Sequence, residues 1–141
     1  MTAKVNYADV EVGTELPAQS YQVDRMNLVM YAGASGDFNP IHWRESTAKA
    51  VGLPDVIAHG MYTMAQGGRY VTDWVGDPGA VLDYGVRFSA PVVVPDEGGA
   101  ELEITGKVEE KLDGNRVVVA LTARSAGQKV LTRAKAVVRL A

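Results

Sequence analysis

The 141-residue chain contains no cysteine. That excludes disulfides, thiolate-bound zinc, iron–sulfur clusters and a cysteine nucleophile. Histidine is nearly absent as well: only His42 and His59 occur. A three-histidine metal site is impossible, so any imidazole chemistry falls to these two residues. The 14 basic residues form no cluster and the formal net charge is −3, which argues against a nucleic-acid partner. No apolar run approaches the ~18–20 residues that span a bilayer, so no membrane insertion is expected. Residues Met1–Val10 lack the apolar stretch of a signal peptide, and the expected location is cytoplasmic. There is no repeat or linker. Gly-x-Gly-x-x-Gly after a strand, a phosphate loop, His-Glu-x-x-His and Gly-x-Ser-x-Gly are all missing.

What is present is enough apolar chain, 47% of residues, to bury one core, so residues 1–141 read as one domain. A short strand is expected near 20–23. Asp24 is a plausible N-cap for a helix over 24–33, which the glycines and Pro40 then end. Pro40 pushes Asn39 toward extended geometry, so Asp37–His42 reads as a fixed loop. A helical turn follows at Glu45–Ala50, then a loop over Gly52–Ala58. The longest helix spans 61–75, with Met61, Met64, Ala65, Gly68, Val71 and Val75 on one expected stripe. Gly67 and Gly68 inside it each cost about 1 kcal/mol relative to Ala. Close packing by a sheet, or room for a ligand, must compensate.

From residue 81 onward the pattern is strand-like. Val81–Ser89 is the first segment, and Glu101–Glu110 alternates apolar with polar residues. Asp113-Gly114 and Ala126-Gly127 mark turns between the last strands. The result is an α+β domain in which an antiparallel sheet of about five strands wraps one long helix.

The chemistry concentrates in Tyr31–His42, YAGASGDFNPIH. Asp37 and His42 sit five residues apart on a loop stiffened by proline, which suits general acid–base catalysis. On residue types alone a plainer reading is favoured: Asp37 and Asn39 form Asx turns, Ser35 serves a turn, and His42 is a hydrogen-bonded loop histidine. His59-Gly60 opens the long helix, where free N–H groups and the helix dipole could hold a developing oxyanion on the Gly60 N–H. The plainer alternative is an ordinary helix start. For His59 an orienting role is favoured over proton transfer. Arg87 is expected to face solvent or pair with an acid rather than bind substrate, and Trp43, Trp74, Tyr62, Tyr70 and Tyr84 to serve core or interface.

YAGASGDFNPIH resembles the hydratase motif of the MaoC-like (R)-specific enoyl-CoA hydratase and 3-hydroxyacyl dehydratase family. Ala58-His59-Gly60-Met61 follows at the family's interval, and a Val86-Arg87-Phe88 strand runs to Pro91. The stretch Tyr70–Val81 is similar to a narrower subgroup, the catalytic beta subunits of actinobacterial type II fatty-acid synthase (3R)-hydroxyacyl-ACP dehydratases. The resemblance implies a hot-dog fold and a dimer. It implies Asp37 and His42 as the catalytic pair and Gly60 as support for the thioester oxygen. Asn39, Ser35, Gly36, His59, Gly67 and Gly68 become candidate substrate-binding residues. Two departures stand out: Val94–Gly99 where the family often has Gly-Asp, and Gly67-Gly68 where some members carry a hydroxyl.

The implied reaction is reversible dehydration of (3R)-hydroxyacyl thioesters, on acyl-ACP or acyl-CoA, with no metal and no cofactor. His42 is assigned to the C2 proton and Asp37 to the oxygen. The implied partner is a second copy or a paralogous hot-dog subunit. Two alternatives are an (R)-specific enoyl-CoA hydratase acting as a homodimer, and a non-catalytic acyl-binding subunit. A thioesterase ranks low, because Asp73 is the only acid on the long helix.

Overall fold

The structure is a computed structural model and describes residues 2–141; Met1 lies outside them. In chain order the main elements are β1 (Glu15–Val23), α1 (Arg25–Ser35), α2 (Glu45–Ala50), α3 (Gly60–Val75), β2 (Val81–Phe88), β3 (Ala100–Leu112), β4 (Arg116–Ser125) and β5 (Gln128–Arg139). The five strands form one antiparallel sheet in the order β1-β3-β4-β5-β2.

Local signals explain the helix boundaries. Asp24 accepts from Asn27 N–H while the Asn27 side chain accepts from Asp24 N–H, a reciprocal cap that starts α1. Gly36 ends it in the left-handed conformation, φ 78°, where a side chain would be strained. The helix thus runs two residues beyond the expected end at 33. α3 stops in the same way at Gly76.

The sheet curls around α3, which is the hot-dog fold. Tyr70, Val71 and Val75 of α3 are buried with Leu102, Ile104, Val119, Leu121 and Ala136 of the strands. Each fully buried side chain of this size is worth about 1.5–3 kcal/mol. Curvature comes with irregular pairing. Register shifts interrupt β2–β5 between Gly85 and Arg87 and β4–β5 between Leu121 and Ala123, and Arg133 has φ 48°. Such bulges bend a strand and increase its twist.

Two expectations need correction. β1 is nine residues, not a short segment near 20–23. It buries only Leu16 and Val23, and Pro17 and the register shift between Leu16 and Gln19 hide its periodicity. The stripe on α3 is also only partly as expected. Val71 and Val75 are buried, together with Thr63, Gly67 and Tyr70, whereas Met61 and Ala65 are exposed and Met64 and Gly68 are half-buried. At Gly67 the Tyr84 hydroxyl of the sheet comes so close that no side chain fits there. No helix among the described residues is long and apolar enough to cross a membrane.

Candidate active site

The loop after α1 is built from short polar side chains turned onto their own backbone. Asp37 N–H donates to Ser35 Oγ (3.2 Å), Asn39 N–H to Asp37 Oδ1 (3.1 Å) and Ile41 N–H to Asn39 Oδ1 (3.2 Å). Each link spans two residues, the reach of Asx and serine turns. Asn39 caps a single 3-10 turn, Pro40–His42, that delivers His42 inward. Trp43, which was expected only in core or interface, braces the loop from outside: its Nε1–H donates to Phe38 O at 2.9 Å.

A second segment meets this loop. Ala58 N–H bonds Val92 O, Val94 N–H bonds Val56 O and Ile57 N–H bonds Ile41 O. These contacts fix the Ile57 carbonyl, which accepts from His42 Nδ1 at 2.7 Å. A carbonyl cannot donate, so His42 carries a proton on Nδ1. Its other ring nitrogen, Nε2, faces Asp37 Oδ2 at 3.9 Å. The His42 side chain is 8% exposed and that of Asp37 51%. The features of the plainer reading are all present, and the proximity that acid–base chemistry would need is present with them. The Asx turns exist, and they aim one carboxylate oxygen at the imidazole.

His59 lies behind the pair. It is 1% exposed and its ring stacks on His42, centroids 3.8 Å apart at 23°. Its Nε2 is 3.1 Å from the main-chain carbonyl of Asp37. Burial pulls its pKa below the ordinary histidine value, and the bond to Asp37 only partly opposes this. With no exposed edge, His59 does not belong among substrate-binding residues. Ser35 and Asn39 have their side-chain oxygens turned to the loop, and Gly36 supplies the left-handed cap.

Asp37, His42 and His59 offer donor atoms within 4.8 Å of one another, a possible metal cluster by distance alone. The geometry does not fit. Near-parallel rings send their in-plane nitrogens side by side rather than toward one point. His42 Nδ1 and His59 Nε2 are, in addition, occupied as donors to carbonyls.

Gly60 is the first residue of α3, so its N–H has no partner within the helix, and no side chain caps that end. The Phe88 ring of β2 lies against it: a Cβ at Gly60 would sit 3.2 Å from the ring. Beside Gly60 opens a cleft of about 340 Å3 whose walls include Ala58, Thr63, Phe88, Pro91 and Val92. Gly67 and Gly68 lie about two turns further along α3 and do not open onto space. The Tyr84 ring of β2 packs over both, and its hydroxyl donates to Met64 O at 2.7 Å. Of the two roles open to these glycines, close packing by the sheet is the one realised. Sequence reasoning had no handle on the Ile57 carbonyl, Tyr84 or Phe88 as neighbours of the site, since only tertiary contact brings them there.

Residues 8–128 match the family of the MaoC like domain. The 3-hydroxyacyl-thioester dehydratase X of Mycobacterium tuberculosis is 37% identical over 83 residues, which cover 59% of this chain and 29% of that protein. The 3-hydroxybutyryl-CoA dehydratase of Methylorubrum extorquens is 30% identical over 136 residues, covering 95% of this chain and 83% of that one. Among solved structures, a MaoC-like dehydratase superposes with a TM-score of 0.96 at 44% identity, over 99% of this chain and 44% of the other. A chain of the ChsH1-ChsH2 complex from Mycobacterium tuberculosis superposes with a TM-score of 0.81 at 25% identity, over 94% of this chain and 99% of the other. The chain thus spans under half the length of two of these four proteins.

Proposed function

The chain belongs to the MaoC-like domain family, and from that premise we propose that it interconverts (3R)-hydroxyacyl thioesters and trans-2-enoyl thioesters by removing or adding water. The observation that carries the reading is the 3.9 Å approach of Asp37 Oδ2 to His42 Nε2, the ring nitrogen not engaged by the Ile57 carbonyl. That gap is too long for a hydrogen bond and leaves both atoms free for a substrate. A dehydration needs one group to take a proton and another to give one, on neighbouring carbons.

In the dehydration direction His42 Nε2 takes the C2 proton. The C2–H electron pair becomes the new C2=C3 bond as the C3–O bond breaks. The Asp37 carboxyl gives its proton to the departing hydroxyl, which leaves as water. Returning the imidazolium proton to Asp37 resets the pair. Charge that develops on the thioester oxygen is met by the Gly60 N–H at the positive end of α3. The cleft beside Gly60 takes the acyl chain, and no metal or redox cofactor enters. A thioesterase would want a carboxylate on α3 facing the site. Asp73, the only acid on that helix, is exposed and pairs with Arg69 at 3.6 Å.

The working unit is a pair of hot dogs, with a second copy or a paralogous subunit. Phe38, Met61 and Phe88 stand exposed next to Asp37 and Gly60, and β2 is an edge strand paired only with β5. The chain of the ChsH1-ChsH2 complex, a neighbour in fold, comes from such a two-component assembly by its name. The acyl carrier is ACP or CoA, and the compartment is the cytoplasm.

Crotonyl-CoA tests the reading: loss of enoyl absorbance reports hydration, and release of free thiol would report a thioesterase instead. Asp37→Asn and His42→Gln are each expected to lower the rate about 100-fold or more. Near-full activity in both folded variants, assayed with any partner subunit present, would overturn the assignment.

A further inference from the structure

Neither step of the proposed reaction uses the second histidine, yet it is among the most deeply buried large side chains of the molecule. Four observations define what it does. Its Nε2 lies 3.1 Å from the main-chain carbonyl of Asp37, so this nitrogen must carry the proton. Its Nδ1 is buried and has no partner among the described residues. Its ring backs the His42 ring over a 3.8 Å stack. The edge of Tyr31, from α1, closes the remaining side at 4.8 Å, with Tyr62 of α3 beyond it at 5.5 Å from Tyr31.

We propose that His59 is a positioning residue: it clamps the Asp37 main chain with Nε2–H and backs the His42 ring, and so holds the carboxylate and the imidazole at their working separation. The two histidines then form a stacked pair of opposite tautomers. His42 has Nδ1–H and a basic Nε2; His59 has Nε2–H and a silent Nδ1. A proton on His59 Nδ1 would find no acceptor in a buried site, at the N-terminus of α3 where positive charge is disfavoured. The ionisable groups around it are Asp37, His42, Tyr31 and Tyr62. Of these only Asp37 favours a cationic ring, and its contact with His59 is through the main-chain carbonyl. Burial and the missing acceptor therefore both disfavour a second proton on His59.

This inference rests on the dehydratase reading for its kinetic consequence, but its structural half stands apart. With only two histidines in the chain, imidazole 15N spectra of the wild-type protein resolve both rings. At pH 7 the expected pattern is Nδ1–H for His42 and Nε2–H for His59. A proton on Nδ1 of His59, or exchange between its tautomers, would overturn the clamp whether or not any activity is found. For the kinetic half, His59→Phe keeps a ring for the stack and loses the donor. Its kcat should fall about 30-fold with KM within about threefold, as expected for a small misplacement of reacting groups. His59→Gln restores an N–H donor at similar reach and should recover at least half of that loss on a logarithmic scale. Unchanged kcat in a folded His59→Phe protein would refute the role, as would a Gln variant no better than Phe. If His59→Phe fails to fold, the Gln variant and the wild-type spectra still decide. An inactive wild type with the expected tautomers would instead refute the dehydratase reading.

Discussion

Two adjacent glycines in α3 should respond in opposite ways to the same substitution. A methyl group at Gly67 would overlap the Tyr84 hydroxyl oxygen, whereas one at Gly68 would touch the Tyr84 ring at 3.4 Å, an ordinary contact. In each case Ala gains about 1 kcal/mol of helix propensity over Gly. At position 68 little opposes this, so Gly68→Ala is expected to stabilise by about 0.5–1 kcal/mol and raise Tm by about 2–4 °C. At position 67 the methyl must displace Tyr84. Overpacking costs about 1–3 kcal/mol, and pulling the hydroxyl off Met64 O leaves a buried donor unpaired at another ~1–3 kcal/mol. The expected net for Gly67→Ala is a loss of about 2–3 kcal/mol and a Tm roughly 10 °C lower. Removing the hydroxyl provides the control. Tyr84→Phe alone forfeits one hydrogen bond, about 1 kcal/mol. In that background the nearest Tyr84 ring carbon, Cζ, is 3.5 Å from the new methyl, so Ala at 67 should be tolerated. The double-mutant cycle, read by urea titration, should show a coupling of about 2 kcal/mol. A stabilising Gly67→Ala, or a double variant no better than Gly67→Ala alone, would show that Tyr84 is not what the glycine accommodates.

The remaining predictions concern charge, burial and the oxyanion end of α3. Burial pushes the Tyr70 and Tyr84 phenols up to about 12, so the native state keeps both protons while the unfolded chain loses them near 10. Stability is therefore full below pH 10 and falls as pH rises toward 12; Tyr84→Phe should remove about one proton from that slope in urea titrations across the range. Arg25 donates to Val94 O (3.2 Å) and Asp55 Oδ1 (2.6 Å) from a side chain 24% exposed, tying α1 to the two loops that frame Ile57. Arg25→Ala should cost about 1–3 kcal/mol by taking the ion pair from the half-buried Asp55, which keeps only the Val56 N–H, and Arg25→Lys should not restore it, since one ammonium cannot reach both acceptors in the same fork; the urea midpoint reports both. Gly60→Ala meets the Phe88 ring at 3.2 Å, but that residue is 55% exposed and can swing aside. Tm should change by only a few degrees, while kcat on an enoyl thioester falls about tenfold or more as the helix end loses its close approach.

Much of this was legible in the amino-acid order, for local reasons. The caps of α1 and the Asx chain through Asp37 and Asn39 depend on contacts within a few residues, and the alternation of β3 to β5 is written in the residue order itself. The parts that were not legible depend on distance. The apolar pattern puts Met61, Met64, Ala65, Gly68, Val71 and Val75 on the stripe of α3; the two valines are buried, but Gly67 faces inward because the Tyr84 hydroxyl comes too close for a side chain. β1 was shortened because Ser, Gln and Pro dominate an edge strand that buries two residues. The glycine pair read equally well as a ligand niche, and only the arrival of Tyr84 from a strand across the helix decides it. The order of residues marks His59 only as the residue before the helix start; its burial, its stack on His42 and its bond to the Asp37 carbonyl come from tertiary contact, which spacing cannot reveal.

The two oxygens of Asp37 have separate duties. Oδ1 is committed to the Asn39 N–H and shapes the loop; Oδ2 alone faces His42. On the proposed reaction, fold and activity are thus divided between two atoms of one carboxylate, and substitutions there should separate along that line. Asparagine can supply the acceptor and keep the loop while it abolishes proton exchange, whereas alanine loses both. A sister chain released from catalysis would be under no pressure to keep His42 or the charge at 37. It would still be constrained to a short side-chain acceptor there, so an Asn at this position should mark retired descendants of the site.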